Sequence, residues 1–272
     1  MTDLSRCAIH TQTNKLWPLQ HCVEAYSAIG VTGISIWRNA IEPIGAKQAA
    51  KIVNDHGMKV PAVVRGGFFT SLDPAARSAA LDMNRTCIDE AREIAAEMVV
   101  LVVGATPGLS LEDGRKQVAD AIAALVPYAK QANVKLAIEP LHPMYAADKS
   151  CINRMTDARK VCQIVNDPIV GIAVDVYHVW WDPDLEAEIK LAGQLGLIFA
   201  FHVCDWLTDT RHLLTDRGLM GEGVIDIPRI RGWVEAAGFR GFNEVEIFSE
   251  RLWAIDQSEY VKQIAAAYLK HV

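Results

Sequence analysis

Four short apolar segments in the second half of the chain each end on a side chain that can bind a metal ion. The segments are residues 136–139 (LAIE), 172–175 (IAVD), 199–202 (FAFH) and 245–246 (VE). Their end residues are Glu139, Asp175, His202 and Glu246. A carboxylate or imidazole at the end of a buried strand loses its hydration, which is unfavourable unless a partner compensates. Because all four are oxygen or nitrogen donors, the pattern predicts one divalent cation and favours an enzyme over a binding module.

The composition of the chain limits the classes of partner. The 272 residues carry a formal net charge of -6, with no block of lysines and arginines, so nucleic acid is not an expected partner. The first residues lack the pattern of a signal peptide, and no apolar run approaches the ~18 residues of a membrane-spanning helix. Six scattered cysteines without a Cys-x-x-Cys pair are typical of small buried side chains. We therefore expect a cytoplasmic enzyme that does not associate with membranes.

Apolar runs of β-strand character alternate with longer helical segments along the chain. The predicted strands cover residues 7–10, 32–37, 59–64, 98–103, 135–139, 170–175, 197–202 and 244–248. The predicted helices cover residues 16–29, 46–56, 74–97, 112–131, 156–166, 185–195, 227–237 and 257–269. Eight strand–helix units in 272 residues give about 34 residues each, the length of a βαβ unit. With no linker between the units, the sequence predicts an α/β fold, a single (β/α)₈ TIM barrel over residues 1–272.

This fold gives the four end residues a common location. In (β/α)₈ barrels the active site lies at the C-terminal ends of the strands. The first three residues end predicted strands five, six and seven, and Glu246 lies late in strand eight. Neighbouring strands are about 5 Å apart. We therefore expect the four side chains to converge on one ion.

Five motifs between roughly residues 135 and 250 resemble those of a known family. They are AIEPLHP (137–143), VDVYH (174–178), AFHVCD (200–205), GEGVID (221–226) and GFNEVEI (241–247). In this ordered set the chain is similar to the xylose isomerase-like barrels, which include inosose isomerases and ketose 3-epimerases, with endonuclease IV as a distant relative. The first half of the chain matches only in its strand pattern.

The resemblance implies roles for the same four residues. In that family the matching residues bind one Mn²⁺ or a similar ion, and the glutamates that match Glu139 and Glu246 act as acid and base on opposite faces of a keto-sugar. Proton removal beside a ketone needs a base within hydrogen-bond reach and stabilisation of the enediolate charge, which a divalent ion supplies. The expected cofactor is one Mn²⁺ ion, with Mg²⁺, Co²⁺ and Zn²⁺ as alternatives that the donor set does not separate.

Further polar residues near the predicted barrel mouth are candidates for substrate binding. His178 stands at the position that contacts substrate oxygen in the similar epimerases. Arg211 and Arg217 follow strand seven in a polar segment, and we expect one of them to reach a substrate oxygen. His142, in a loop stiffened by prolines, and His10, at the end of strand one, are also candidates. A purely structural role is the alternative for each of these five residues.

Two departures from the family pattern bear on the substrate. The nuclease relatives need extra histidines after strands three and four, where this chain has VRGG (64–67) and VGA (103–105). A trinuclear DNA-repair site is therefore not expected. The ketose 3-epimerases carry a substrate-contacting glutamate shortly after the first catalytic one, and Tyr145 stands near that place here. Both departures bear on the substrate and leave the four predicted metal ligands unchanged.

The sequence predicts a metal-dependent sugar isomerase or epimerase that acts on an unphosphorylated keto-sugar or inosose through an enediolate. Acidic residues after strand seven, Asp216, Glu222 and Asp226, oppose a phosphate dianion there. A metal-dependent lyase or dehydratase on 3-keto-glycosides or inososes is an alternative with the same base and metal. A catalytically inactive sugar-binding barrel is a third alternative, which is disfavoured because both predicted catalytic glutamates, Glu139 and Glu246, are present. The expected partner is a small sugar or cyclitol, and a homodimer or homotetramer is left open.

Overall fold

Eight parallel strands close into a barrel in the computed structural model, which describes residues 3–272. In chain order the barrel strands are β1 (Cys7–His10), β2 (Gly33–Trp37), β3 (Ala62–Gly67), β4 (Met98–Val102), β5 (Lys135–Ile138), β6 (Val170–Asp175), β7 (Ile198–Val203) and β10 (Asn243–Val245). Each strand pairs with the next, and β10 pairs with β1 to close the barrel. A two-stranded antiparallel hairpin, β8 (Asp205–Trp206) with β9 (Arg217–Gly218), stands after β7.

Helices connect the strands and surround the barrel. In chain order they are α1 (Leu19–Ala28), α2 (Arg38–Ile41), α3 (Ala46–Asp55), α4 (Pro74–Ile94), α5 (Leu111–Ala132), α6 (Met155–Val165), α7 (Val176–Val179), α8 (Leu185–Gln194), α9 (Ile227–Ala236), α10 (Glu250–Trp253) and α11 (Gln257–His271). No helix within residues 3–272 is long and apolar enough to cross a membrane. The predicted (β/α)₈ barrel is confirmed.

The alternation of side chains along each strand separates two apolar layers. Large residues such as Leu136 and Ile138 belong to the main core cluster between strands and helices. A second cluster inside the barrel is made mostly of small residues, among them Ala137, Ala173 and Ala200. Successive side chains of a strand point to opposite faces. Residues two positions beyond these alanines therefore also point into the barrel.

Element boundaries differ from the predicted ones at informative places. The third strand runs over Ala62–Gly67 instead of 59–64, and Lys59 forms only an isolated bridge with Gly33. Pro61 separates the two, and proline removes a backbone donor from a strand. The last strand ends at Val245, so that Glu246 follows it. No strand is predicted in the polar segment after strand seven. Part of this segment nevertheless forms β9, which pairs with β8.

Candidate metal centre and active site

Four potential ligands meet at the end of the barrel where the strands terminate. Glu139 follows β5, Asp175 ends β6, His202 lies near the end of β7 and Glu246 follows β10. Each offers one ligand atom, and the four atoms all lie within 4.8 Å of one another. All four residues are buried, and the most exposed of them, Glu139, is only 5% accessible. The fold therefore gathers the four residues that the sequence predicts as ligands.

The strand pattern explains this convergence. Glu139, Asp175 and His202 each stand two residues after one of the interior alanines, and so share their face. Asp175 and His202 are also direct neighbours across the β6–β7 pairing. The interior of the barrel is therefore apolar at the level of the alanines and polar at the C-terminal ends of the strands.

The donor set fits a divalent cation. An ion bound at about 2.1 Å from each ligand places two ligand atoms at most roughly 4.2 Å apart, so the observed spacing requires only a small contraction. Three buried carboxylates in one place also need positive charge close by. Oxygen donors with a single imidazole suit Mn²⁺, Mg²⁺, Co²⁺ or Zn²⁺.

Arg217 extends from the hairpin into the same centre and is only 2% accessible. Its Nη1 lies 3.1 Å from Asp175 Oδ2 and 3.1 Å from Glu246 Oε2. The pairing of β9 with β8, which sets Arg217 opposite Trp206, holds the arginine at this position. Arg217 therefore supplies a fixed positive charge between two of the carboxylates.

Burial and close charges shift the pKa values of the centre. Burial raises the pKa of Asp175 to about 7 even though Arg217 opposes the shift. Burial alone would lower the pKa of His202, but its hydrogen bond with Glu139 and the surrounding carboxylates raise that pKa to about 10. His202 Nδ1 lies 2.9 Å from Glu139 Oε1 and must release its proton before it can bind an ion.

His10 joins two carboxylates beneath the centre. Its Nδ1 lies 2.9 Å from Glu246 Oε1, and its Nε2 lies 3.2 Å from Glu244 Oε2. Burial would lower the pKa of His10, but the charge of Glu246 and contacts with both carboxylates raise it. His10, which the sequence predicts as a substrate-binding residue, is instead fully buried and contacts Glu246 and Glu244.

Glu244 is a residue of the centre that the sequence did not identify as functional. It is 1% accessible, accepts a hydrogen bond from the Ser35 hydroxyl and has its Oε2 3.9 Å from His202 Nε2. The signal was present, since Glu244 and Glu246 are separated by one valine and therefore share a face of the strand. Contact with His10 lowers the pKa of Glu244, although burial alone would raise it.

His178 lies beside Arg217 and Asp175. Its Nε2 is 3.3 Å from Arg217 Nη2 and 3.6 Å from Asp175 Oδ2, while its Nδ1 accepts a hydrogen bond from the His142 backbone amide. Burial, reinforced by the charge of Arg217, holds the pKa of His178 well below the usual value. The imidazole is therefore neutral at physiological pH, and because its Nδ1 accepts from the His142 amide, its Nε2 carries the proton and can donate a hydrogen bond.

A cavity of about 340 Å³ opens above the centre. Glu139, Glu246, His178 and Arg217 are among the residues that line it. The remaining wall includes apolar and aromatic residues and two cations, namely Trp37, Val102, Leu141, Tyr145, Leu214, Phe248, Arg65 and Lys149. This volume is at the lower end of the range for small-molecule sites. Sequence reasoning assigned no role to Arg65 or Lys149, because neither lies in a recognised motif.

Besides the fully buried His10, two further predicted substrate-binding residues, Arg211 and His142, do not line this cavity. The Arg211 side chain is 83% exposed, pairs with Asp209 and lines a separate surface depression. His142 stacks on Trp206 at 4.9 Å, and its Nδ1 accepts from the Met144 amide. Of the two arginines that follow strand seven, Arg217 lines the cavity and Arg211 does not. Arg211 therefore lies on the surface, and His142 packs against Trp206 instead of lining the cavity.

Comparisons with known proteins agree with this architecture. A family profile described as xylose isomerase-like TIM barrel matches residues 23–271. The crystal structure of protein SMc04130 from Sinorhizobium meliloti 1021 is 43% identical and superposes with a TM-score of 0.96 over 99% of each chain. No curated protein matches the sequence significantly.

More distant structures share the fold. The IolI protein, solved with a binding zinc atom, is 20% identical and has a TM-score of 0.86 over 98% of each chain. The 3-keto-D-glucoside 4-epimerase from E. coli is 18% identical and has a TM-score of 0.78, covering 97% of this chain and 98% of its own. Because the family profile spans most of the chain and a relative of 43% identity aligns over nearly its whole length, the protein belongs to the xylose isomerase-like TIM-barrel family.

Proposed function

We propose that this protein is a metal-dependent isomerase or epimerase of a keto-sugar or inosose that carries no phosphate. The observation that carries the proposal is the convergence of two glutamates, an aspartate and a histidine, with ligand atoms within 4.8 Å of one another, at the floor of a sugar-sized cavity. Solved structures of the same fold include a sugar epimerase, which supports a carbohydrate substrate.

Glu139, Asp175, His202 and Glu246 would hold the ion. When bound, a divalent cation polarises a substrate carbonyl and favours ionised carboxylates. Mn²⁺ is the ion we expect, and the zinc atom bound by the IolI protein makes Zn²⁺ the first alternative to test. The metal affinity must depend on proton release from His202, because a histidine binds a metal only through an unprotonated nitrogen.

The two glutamates would move the proton. Burial would raise the pKa of Glu246, but His10 and Arg217 outweigh burial and hold that pKa well below its usual value. Glu246 is therefore ionised, as a proton acceptor must be. Glu139 follows β5 and Glu246 follows β10, the two outer strands of the four that carry the ligands, and the pair would act on opposite faces of the substrate. His178 and Arg217, side by side at the floor, would bind the oxygen that gains charge in the enediolate.

The loop after the hairpin supports an unphosphorylated substrate. In many barrels the backbone amides of the loops after strands seven and eight bind phosphate. Here Asp205 accepts from the amides of Gly221 and Ile225 at 2.9 and 3.0 Å, and Glu222 accepts from Leu219 at 2.9 Å. Arg251 is paired with Glu222 at 2.6 Å. The donors that would bind phosphate are therefore already used by carboxylates of the chain.

A substrate panel in D₂O tests the proposal. The Mn²⁺-loaded protein is incubated with ketoses, inososes and 3-keto-glycosides, and NMR follows deuterium uptake beside the ketone and the products formed. We expect deuterium uptake with an epimer or isomer as product. Loss of a leaving group would assign the lyase alternative instead. Absence of uptake across the panel, with ligand binding retained, would assign the inactive sugar-binding barrel.

A further inference from the structure

Arg65 is an unpaired cation in the wall of the active-site cavity. It lies in β3, is half-buried, and its guanidinium carbon stands 4.7 Å from the centre of the Phe68 ring and 5.7 Å from that of Trp37. Within residues 3–272 no carboxylate or carbonyl oxygen accepts a hydrogen bond from its guanidinium. Every other arginine in that part of the chain donates to a carboxylate or a carbonyl, or forms an ion pair.

Lys149 is a second cation on the same cavity. It follows β5 in the chain, is half-buried, and its Nζ stands 4.4 Å from the centre of the Tyr145 ring. In the described chain it has no ion pair either. Two partly desolvated cations facing one cavity without partners are unfavourable in the empty site. An anion that enters the cavity would remove that penalty.

The charges of the centre leave these two cations unmatched. The three carboxylates of Glu139, Asp175 and Glu246 would be balanced by a divalent ion together with Arg217. Glu244 lies against His10 and contacts neither Arg65 nor Lys149 by hydrogen bond or ion pair in the described chain. Arg65 contacts neither catalytic glutamate by hydrogen bond or ion pair in the described chain. The side of the cavity near β3 and the loop after β5 is therefore positive once the metal is bound. This step rests on the function proposed above.

We propose that the substrate carries a carboxylate, which Arg65 and Lys149 bind, so that the substrate class is a sugar-derived or cyclic polyol ketone acid. A planar guanidinium matches a carboxylate through two parallel hydrogen bonds, and the lysine ammonium adds a point charge. The rings of Trp37 and Phe68 lie close to the Arg65 guanidinium and leave its N–H groups without a protein acceptor in the described chain. A carboxylate is favoured over a phosphate because the backbone donors of the usual phosphate loop are occupied by Asp205 and Glu222.

Calorimetric binding to the Mn²⁺-loaded protein tests the proposal without requiring turnover. The probes are the D-ketohexoses fructose, tagatose, psicose and sorbose, each compared with its C6 carboxylate and its 6-phosphate. In at least one set we expect the carboxylate to bind at least roughly tenfold more tightly than the neutral sugar or the phosphate, the effect of a charge-assisted hydrogen bond. Arg65→Met and Lys149→Met should each weaken binding of the carboxylate about tenfold and reduce its advantage over the neutral sugar.

Matched variants separate binding from folding. Arg65→Lys keeps the charge and should retain part of the affinity that Arg65→Met loses, whereas Arg211→Met removes an arginine outside the cavity and should change nothing. Unchanged Mn²⁺ affinity and circular dichroism show that each variant is folded. The proposal is overturned if no carboxylate in the panel binds more tightly than its neutral sugar, if the preference survives both substitutions, or if the phosphate binds most tightly.

The same panel distinguishes failure of this inference from failure of the proposed function. Carboxylate binding that depends on Arg65, with no deuterium uptake by any ligand, would uphold the anion site and contradict the isomerase. Deuterium uptake by ketoses in a protein that binds no carboxylate more tightly than its neutral sugar would uphold the isomerase and contradict the anion site.

Discussion

Arg217 contacts Glu246 twice through one nitrogen, since Nη1 lies 3.1 Å from both the backbone carbonyl oxygen and the carboxylate Oε2 of Glu246. The hairpin that carries Arg217 is thereby joined to the end of the last barrel strand. The same nitrogen reaches Asp175. A residue from outside the barrel thus fixes the distance between two potential metal ligands.

Removal of this arginine should destabilise the protein chiefly when no metal is bound. Arg217→Met leaves buried carboxylates without their counter-charge, and loss of one partner of a buried ion pair typically lowers the free energy of unfolding by about 3–5 kcal/mol. Urea denaturation with and without Mn²⁺ measures the effect. We expect Mn²⁺ to restore part of the loss, because the ion replaces the missing charge. Arg211→Met serves as a surface control, expected within about 0.5 kcal/mol of wild type, and equal behaviour of the two variants would contradict this role.

Metal affinity should rise with pH. In the metal-free protein the pKa of His202 is raised to about 10 and that of Asp175 to about 7. Both groups bind the ion only after they lose a proton, so protons compete with the metal below each pKa. We expect the apparent Kd for Mn²⁺ to fall about tenfold per pH unit between pH 7.5 and 8.5, and more steeply below pH 7. Calorimetry in buffers of different ionisation enthalpy also gives the number of protons released on binding. A Kd for Mn²⁺ that does not change with pH would show that these groups do not bind the ion.

Substitution of Glu244 should lower the catalytic rate more than it lowers the affinity for the metal. Glu244 accepts a hydrogen bond from Ser35 and contacts the His10 imidazole, which in turn contacts Glu246. Because partners behind a metal ligand typically contribute about 10–100-fold to activity or affinity, Glu244→Gln should lower kcat by about this factor with little change in KM. Kinetics of proton exchange measure both values. A variant with unchanged kcat and a raised KM would instead indicate contact between Glu244 and the substrate.

Phosphate esters should be poor substrates. The amides of Leu219, Gly221 and Ile225 in the loop 218–225 already donate to Glu222 and Asp205. For a neutral sugar substrate and its phosphate ester, we expect kcat/KM to favour the unphosphorylated compound. A preference for the ester of more than about tenfold, equivalent to ~1.4 kcal/mol, would mean that the loop rearranges to release its donors.

The sequence predicted the barrel and its ligand cluster because both follow from local patterns. Each of Glu139, Asp175 and His202 ends an apolar run, and strand alternation alone decides which face of the sheet it occupies. The position of Arg217 could not be predicted in this way. Arg211 and Arg217 occupy the same polar segment, and only the pairing of β9 with β8 brings one of them inward.

The missed residues depend on contacts between distant parts of the chain. Arg65 lies in an apolar strand of the first half, where no motif marks it, and its exposure to the cavity depends on the closure of the barrel. Lys149 is one of several charged loop residues, and only the folded loop distinguishes it. Glu244 could have been found, since its spacing from Glu246 places both on one face of the last strand.

Proton exchange in glutamine variants tests the central claim most directly, namely that Glu139 and Glu246 are the acid and base. Deuterium uptake beside the ketone is measured by NMR for wild type, Glu139→Gln and Glu246→Gln, with the exposed Glu250→Gln as the matched control, and with bound Mn²⁺ quantified in each. Loss of an acid or base typically lowers the rate by about 10²–10⁴-fold. We predict that loss for both active-site variants at saturating Mn²⁺ and none for Glu250→Gln. Exchange at close to the wild-type rate in either active-site variant would contradict the account.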